Sequence, residues 1–137
     1  MQKERIVLSN TNALEIQGLE QFTATNCADT AKVGHILALN GPLLDQLREA
    51  KVFKTTQNWN MFRTPSTLCR SATIELGRDI ESVNADKKTL SVIVDGDRGS
   101  GKSIHLLQAM SMAYMNEWIV INISEGQSSP NSQIVAY

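Results

Sequence analysis

The chain has 137 residues, enough for one modest domain. Leu, Ile, Val and Phe number 13, 11, 8 and 3. They make up about a quarter of the chain, above the roughly 20% that marks disordered sequences. With 13 basic and 14 acidic residues the net charge is −1, which excludes a general polyanion binder held by a positive field. Aromatic residues are 5%, too few for extended base-stacking platforms. No window reaches the ~18 uninterrupted apolar residues that a membrane-spanning helix needs.

Met1-Gln2-Lys3-Glu4-Arg5 leads into no apolar run of the secretory kind, and it lacks the Arg- and Ser-rich, acid-poor pattern of a transit peptide. A targeting segment, if one existed, has been removed. Residues 1–35 read as an extended arm with little core of its own. Arg5–Leu8 and Leu14–Ile16 are short extended candidates, and Thr23 to Lys32 is polar. Cys27 and Cys69 stand 42 residues apart with no CxxC pattern, which favours two buried or half-buried free thiols in a reducing compartment.

Residues 36–88 read as a helical segment leading into a nucleotide-binding core. Ile36 to Leu39 is stopped by Asn40-Gly41-Pro42, and Pro42 suits a first helical position. Leu43, Leu44 and Leu47 then repeat at helical spacing to about Ala50. A second helix start is set by Pro65-Ser66-Thr67, with Leu68, Ala72, Leu76 and Ile80 as an i, i+4 stripe on one face. Gly77 weakens that helix, and Asn84 to Lys88 ends it in an exposed turn.

Residues 89–126 read as a βαβ unit. Leu90 to Val94 is short, β-branched and apolar apart from Ser91, the pattern of a strand buried on both faces of a parallel sheet. Directly after it stands Gly96-Asp97-Arg98-Gly99-Ser100-Gly101-Lys102-Ser103, which is GxxxxGK[ST], the phosphate-binding P-loop. The glycines let backbone N–H groups turn inward around a β-phosphate, where a Cβ would obstruct them. Lys102 can bridge β- and γ-phosphates as a point charge. Ser103 carries the hydroxyl that ligates magnesium, at a helix start whose dipole adds positive potential. Asp97 and Arg98 are permissive positions within the loop. The helix that follows runs from 102 to about 115 with Leu107, Met110 and Tyr114 on one face. It turns at Asn116-Glu117 into a second strand, Trp118 to Ile123.

A P-loop enzyme also needs a second acidic residue at the end of a later strand and a group that orients water. After Ile123 the sequence offers one acid, Glu125, and no apolar strand ending in Asp. Two strands and one crossover helix cannot cover both sheet faces. The chain therefore reads as the N-terminal part of a longer protein, or as one whose sheet a partner completes. Residues 127–137 are a polar tail, or a separate stretch joined across missing residues.

Other residue sets have plainer readings. His35 and His105 with the two cysteines hold no pair at metal-ligand spacing and read as packing or surface histidines. Met110, Met112 and Met115 read as core filler and helix surface, and Lys87-Lys88 as a solvated turn. Trp59 and Phe62, beside Arg63, read as a contact to the core, with a surface anchor as the alternative.

The stretch from Phe53 to Leu68, with Trp59-x-x-Phe62-Arg63-x-Pro65-Ser66, precedes a helix, the strand and the P-loop, and Leu19-Glu20-Gln21-Phe22 lies upstream. From about Leu14 to Gly126 this order resembles the mitochondrial small-subunit ribosomal protein family called death-associated protein three, its fungal members in particular. The resemblance implies an α/β fold: an AAA+-like P-loop NTPase domain with a parallel sheet, incomplete in this chain and preceded by an irregular, helical extension. It implies a structural component of the mitochondrial small ribosomal subunit, in the matrix, that binds GTP or GDP, with ATP as the alternative, and Mg2+. Gly96 to Ser103 would hold the phosphates, Ser103 the magnesium, and the segment from Arg63 to Leu68 would lie near the base. The implied partners are neighbouring proteins of the small-subunit head and contacts towards the large subunit. Residues 90–137 carry 2 basic and 4 acidic groups, a poor RNA-binding surface, so rRNA contact is limited and no membrane is implied. Three readings follow: a structural nucleotide-binding protein with weak or no hydrolysis, an active AAA+-type ATPase or GTPase whose later motifs are missing here, and a scaffold with a vestigial P-loop.

Overall fold

The computed structural model describes residues 18–54, 57, 59 and 64–123. The extended candidates Arg5–Leu8 and Leu14–Ile16, Phe62 with Arg63, Glu125 and the polar tail lie outside the described residues.

Three short strands form one sheet in the order β1-β2-β3: β1 (Glu20–Gln21), β2 (Ile36–Ala38) and β3 (Ser66–Leu68). β1 runs parallel to β2, with Glu20 opposite Leu37. β2 and β3 are antiparallel, with Leu37 opposite Thr67. Hydrogen bonds continue past the strand ends, from Leu39 N to the Pro65 carbonyl at 2.9 Å and from Cys69 N to the His35 carbonyl at 2.8 Å.

The described part of the segment expected to be a coreless arm, residues 18–35, contributes side chains to the core. Phe22 and Cys27 are wholly buried in the main apolar cluster. The polar run that reads as linker consists largely of caps. Thr23 accepts from Asn26 N at the start of α1 (Ala24–Ala28), and Asp29 accepts from Ala31 N at a 3-10 turn over Thr30–Lys32. α2 (Gly41–Glu49) meets its expectation: the Asn40 side chain accepts from Leu43 N at 3.0 Å, and Leu43 and Leu47 are buried.

The second helix begins later than its stripe suggests. Ser66–Leu68 is β3, and α3 spans Ser71–Asp86. Leu68 and Ala72 are exposed, and the buried face is Thr73, Ile74, Leu76, Gly77 and Ile80. Pairing of Thr67 with Leu37 outweighs the helical continuation, because it satisfies backbone groups of both segments. Lys87, in the left-handed conformation at φ 55°, ends α3. α1 packs closely on α3 at Gly77: a Cβ there would come within 2.9 Å of the Cys27 carbonyl carbon.

α4 (Lys102–Met115) closes the core with Leu107, Met110 and Met112. The two segments expected to be sheet strands on either side of it are not paired among the described residues. Leu90, Val92 and Ile93 are 46%, 54% and 93% exposed, so the expectation of a strand buried on both faces fails. Trp118 to Ile123 alternates: Trp118 and Val120 pack against the core, while Ile119, Ile121 and Ile123 stay exposed. A β-branched run is buried on both faces only where neighbouring strands pair with it and helices cover both sides, and among the described residues no strand pairs with either segment. The side-chain amide of Asn122 donates to the Ala50 carbonyl at 2.9 Å and ties this segment to the end of α2.

Candidate functional site

Residues 96–103, the GxxxxGK[ST] stretch, form a largely exposed bend that opens directly into α4. Gly96, Gly99 and Gly101 all have positive φ, at 145°, 85° and 93°. That conformation is costly for residues with a Cβ, and it turns successive peptide units in a tight ring. Ser100 N donates to the Asp97 carbonyl at 3.2 Å and closes the bend. His105 N donates to the Gly101 carbonyl at 2.9 Å, the first bond of the helix.

No side chain caps the start of α4, and no acidic residue stands in its first turn. Its first N–H groups therefore keep both their donor capacity and the positive end of the helix dipole. Lys102 is half-buried. Its ammonium donates to the carbonyls of Gly96 and of Asp97, the latter at 2.7 Å, and so draws the two ends of the loop together. An ammonium has three donors, and these bonds use two. Ser103 is exposed in the first turn. Asp97 takes part through its backbone carbonyl, and Arg98 sits in the exposed turn. The eight predicted site residues are thus contiguous in one glycine-rich bend that opens into a helix N-terminus and carries one lysine, an arrangement able to receive an anionic group.

Sequence reasoning overlooked the residues that hold this loop against the core. Arg70, which precedes α3, donates from Nη1 to the Ser100 carbonyl at 3.1 Å. Its backbone N–H donates to Thr73 Oγ1 at 3.0 Å, and the Thr73 hydroxyl donates to Gln108 Oε1 at 2.9 Å. Gln108 Nε2 donates to the Leu68 carbonyl at 3.0 Å. A polar Gln on the apolar face of α4 was the one sequence signal for this chain of bonds.

His105 is half-buried, and its Nδ1 is enclosed with no hydrogen-bond partner among the described residues. Burial and the nearby Arg70 charge lower its pKa, with Glu75 opposing. Cys27 and Cys69 are buried free thiols. Burial, with Cys69 nearby, pushes Cys27 up to about 12. His35 is exposed, 3.5 Å from Glu20 Oε2. Trp59 packs against the core, its ring 5.1 Å from that of Phe53. The Arg63–Leu68 stretch enters the description at Thr64, and Leu68 meets the P-loop helix through Gln108.

Comparison with known proteins places these features in a family. The model of the family described as mitochondrial ribosomal death-associated protein 3 matches residues 67–134, a span that holds Arg70, the loop and α4. Small ribosomal subunit protein mS29 of Neurospora crassa is 43% identical over 125 residues, which is 91% of this chain. The chain spans 27% of that relative's length. A family match across the loop, and a relative this similar along nearly all of the chain, agree with each other. The chain belongs to the mitochondrial ribosomal death-associated protein 3 family.

Proposed function

We infer that this protein is a structural component of the mitochondrial small ribosomal subunit, and that its P-loop holds a purine nucleotide, GTP or GDP in preference to ATP, with Mg2+. The observation that carries the nucleotide reading is the loop itself: Gly96 to Ser103 intact, three positive-φ glycines, and Lys102 bound to the carbonyls at the loop's entry. The name of the Neurospora crassa relative supports the ribosomal assignment, and the family description supports a mitochondrial location.

In this reading the backbone donors of Gly99 and of Gly101 to Ser103 receive the phosphates and Lys102 offsets their charge. The Ser103 hydroxyl completes the magnesium shell. The bound nucleotide supplies negative charge opposite Lys102 and the uncapped start of α4. It acts as a fixed ligand: a ligand held at a hundred times its Kd adds about 2.7 kcal/mol to the folded state. In this reading the nucleotide is held as a structural ligand, with weak or no hydrolysis. The 2 basic against 4 acidic groups of residues 90–137 favour attachment through protein contacts, within the subunit head and towards the large subunit, more than through rRNA.

The test is nucleotide extraction from the purified native subunit, followed by density for the Gly96–Ser103 loop. A stoichiometric guanine nucleotide with a metal beside Ser103 supports the reading. An ordered loop without nucleotide leaves a scaffold with a vestigial P-loop. In the protein itself, Lys102→Ala abolishes the rise in melting temperature that Mg·GDP produces in the wild type. A variant that responds to nucleotide as the wild type does overturns the role given to Lys102.

A further inference from the structure

Arg70 has extended backbone ahead of α3, at φ −110° and ψ 168°, and its side chain crosses to the phosphate loop. Nη1 reaches the Ser100 carbonyl at 3.1 Å. The guanidinium also lies against the Cα of Gly101: a Cβ there would sit 3.1 Å from Nη1 and 3.4 Å from Cζ. The third glycine of the motif is therefore needed twice, for its φ of 93° and for the guanidinium beside it.

Ser100 and Gly101 share one peptide unit. Such a unit is planar and trans, with its C=O and N–H on opposite sides. Holding the Ser100 oxygen towards Arg70 therefore turns the Gly101 N–H away from the guanidinium. Arg70 forms no ion pair among the described residues, whose pairs are Lys32–Glu20, His35–Glu20, Arg48–Asp45 and Lys88–Asp86. No carboxylate among the described residues pairs with its charge at the loop. Its position is also fixed, because its backbone is bonded to Thr73, which is bonded to Gln108 on α4 itself, and both of these side chains are 0% exposed.

We propose that Arg70 is a positioning residue of the phosphate site: its bond to the Ser100 carbonyl aims the Gly101 N–H at the β-phosphate of a bound nucleoside diphosphate. The proposal rests on the nucleotide reading above. It separates Arg70 from Lys102, which meets phosphate by charge. Arg70 acts through the backbone, from the side of the loop opposite to the ligand.

The experiment measures binding of a fluorescent GDP and a fluorescent GMP, with Mg2+, to the full-length protein. Arg70→Gln weakens GDP about tenfold, as loss of one charge-assisted bond would. It leaves GMP affinity and the nucleotide-free melting temperature near wild type, and Arg70→Lys recovers part of the GDP affinity. Equal losses for GDP and GMP together with a lower melting temperature would show a role in folding alone and overturn the proposal. Unchanged GDP affinity in Arg70→Gln, with Lys102→Ala abolishing binding, also overturns it and leaves the nucleotide reading standing. Failure of the wild type to bind either nucleotide overturns both.

Discussion

Thr73 on α3 and Gln108 on α4 are both 0% exposed, and the threonine hydroxyl donates to the glutamine carbonyl oxygen at 2.9 Å. The two helices thereby exchange a polar bond inside an apolar core, and the same glutamine donates to the Leu68 carbonyl of β3. Buried polar groups of this kind are costly unless every member is satisfied. Here each bond also has a positional consequence, because α4 begins at the P-loop and Thr73 anchors the backbone of Arg70.

Removing one partner leaves the facing polar group of the other, Gln108 Oε1 or the Thr73 hydroxyl proton, buried without its bond. Thr73→Val is expected to destabilise the protein by about 1–3 kcal/mol, the cost of an unsatisfied buried amide oxygen. Gln108→Leu loses the bond to Leu68 as well and falls in the same range. In urea denaturation the double variant should cost less than the sum of the two, because the second change removes the group that the first left stranded. Strict additivity would show that the two side chains do not act as a pair.

Gly77 gives a prediction opposite in sign to helix propensity. Replacing an exposed helical glycine by alanine usually gains about 1 kcal/mol. At position 77 the new methyl would sit 2.9 Å from the Cys27 carbonyl carbon, so α1 must move off α3. Gly77→Ala should therefore destabilise by about 1–3 kcal/mol through overpacking. A melting temperature equal to or above wild type would show that α1 is free to shift.

The sequence made the loop legible and left its setting hidden, for physical reasons. A glycine-rich bend into a helix is read from residues whose backbone demands are local, so the bend over Gly96 to Gly101 and the following helix to Met115 stand where their pattern puts them. α2 is local in the same sense, set by Asn40, Pro42 and three leucines. The Leu68–Ile80 stripe misleads because Ser66–Leu68 answers to a distant partner, Leu37, that no window around it contains. Leu90 to Val94 has the composition of a buried strand, but composition cannot supply the neighbours that bury it. Arg70 is invisible for a related reason. Its partner Ser100 is 30 residues away, and the bond goes to a backbone oxygen that any residue would carry.

The thiols offer a chemical check on the core. Cys27 is wholly buried, and its pKa, raised to about 12 chiefly by burial, leaves almost no thiolate at pH 8. Cys69 is 1% exposed and is shifted upward by burial, with Asp29 adding to it. Iodoacetamide at pH 8 should modify neither in the native protein and both in 6 M guanidinium, as mass spectrometry would read directly. Rapid native modification of Cys27 would show that α1 opens from the core on the timescale of the reaction.

His105 predicts a pH dependence whose sign follows from its environment. Its folded pKa lies below the ordinary 6.5, chiefly because burial disfavours the imidazolium and also because Arg70 repels it. The unfolded chain then binds more protons below about 6.5, so stability is fully present above that pH and falls as the solution is acidified towards the folded pKa. His105→Leu removes the titration and the unpartnered Nδ1 together. The difference in unfolding free energy between His105→Leu and wild type should therefore move in favour of the variant as pH drops from 7 to 5. Glu20 titrates lower, held down mainly by its bond to Lys32, and is common to both proteins, so it cancels in the comparison. A difference that stays flat across this range would place His105 in water at a pKa equal to that of the unfolded chain, and would remove Arg70 from its neighbourhood.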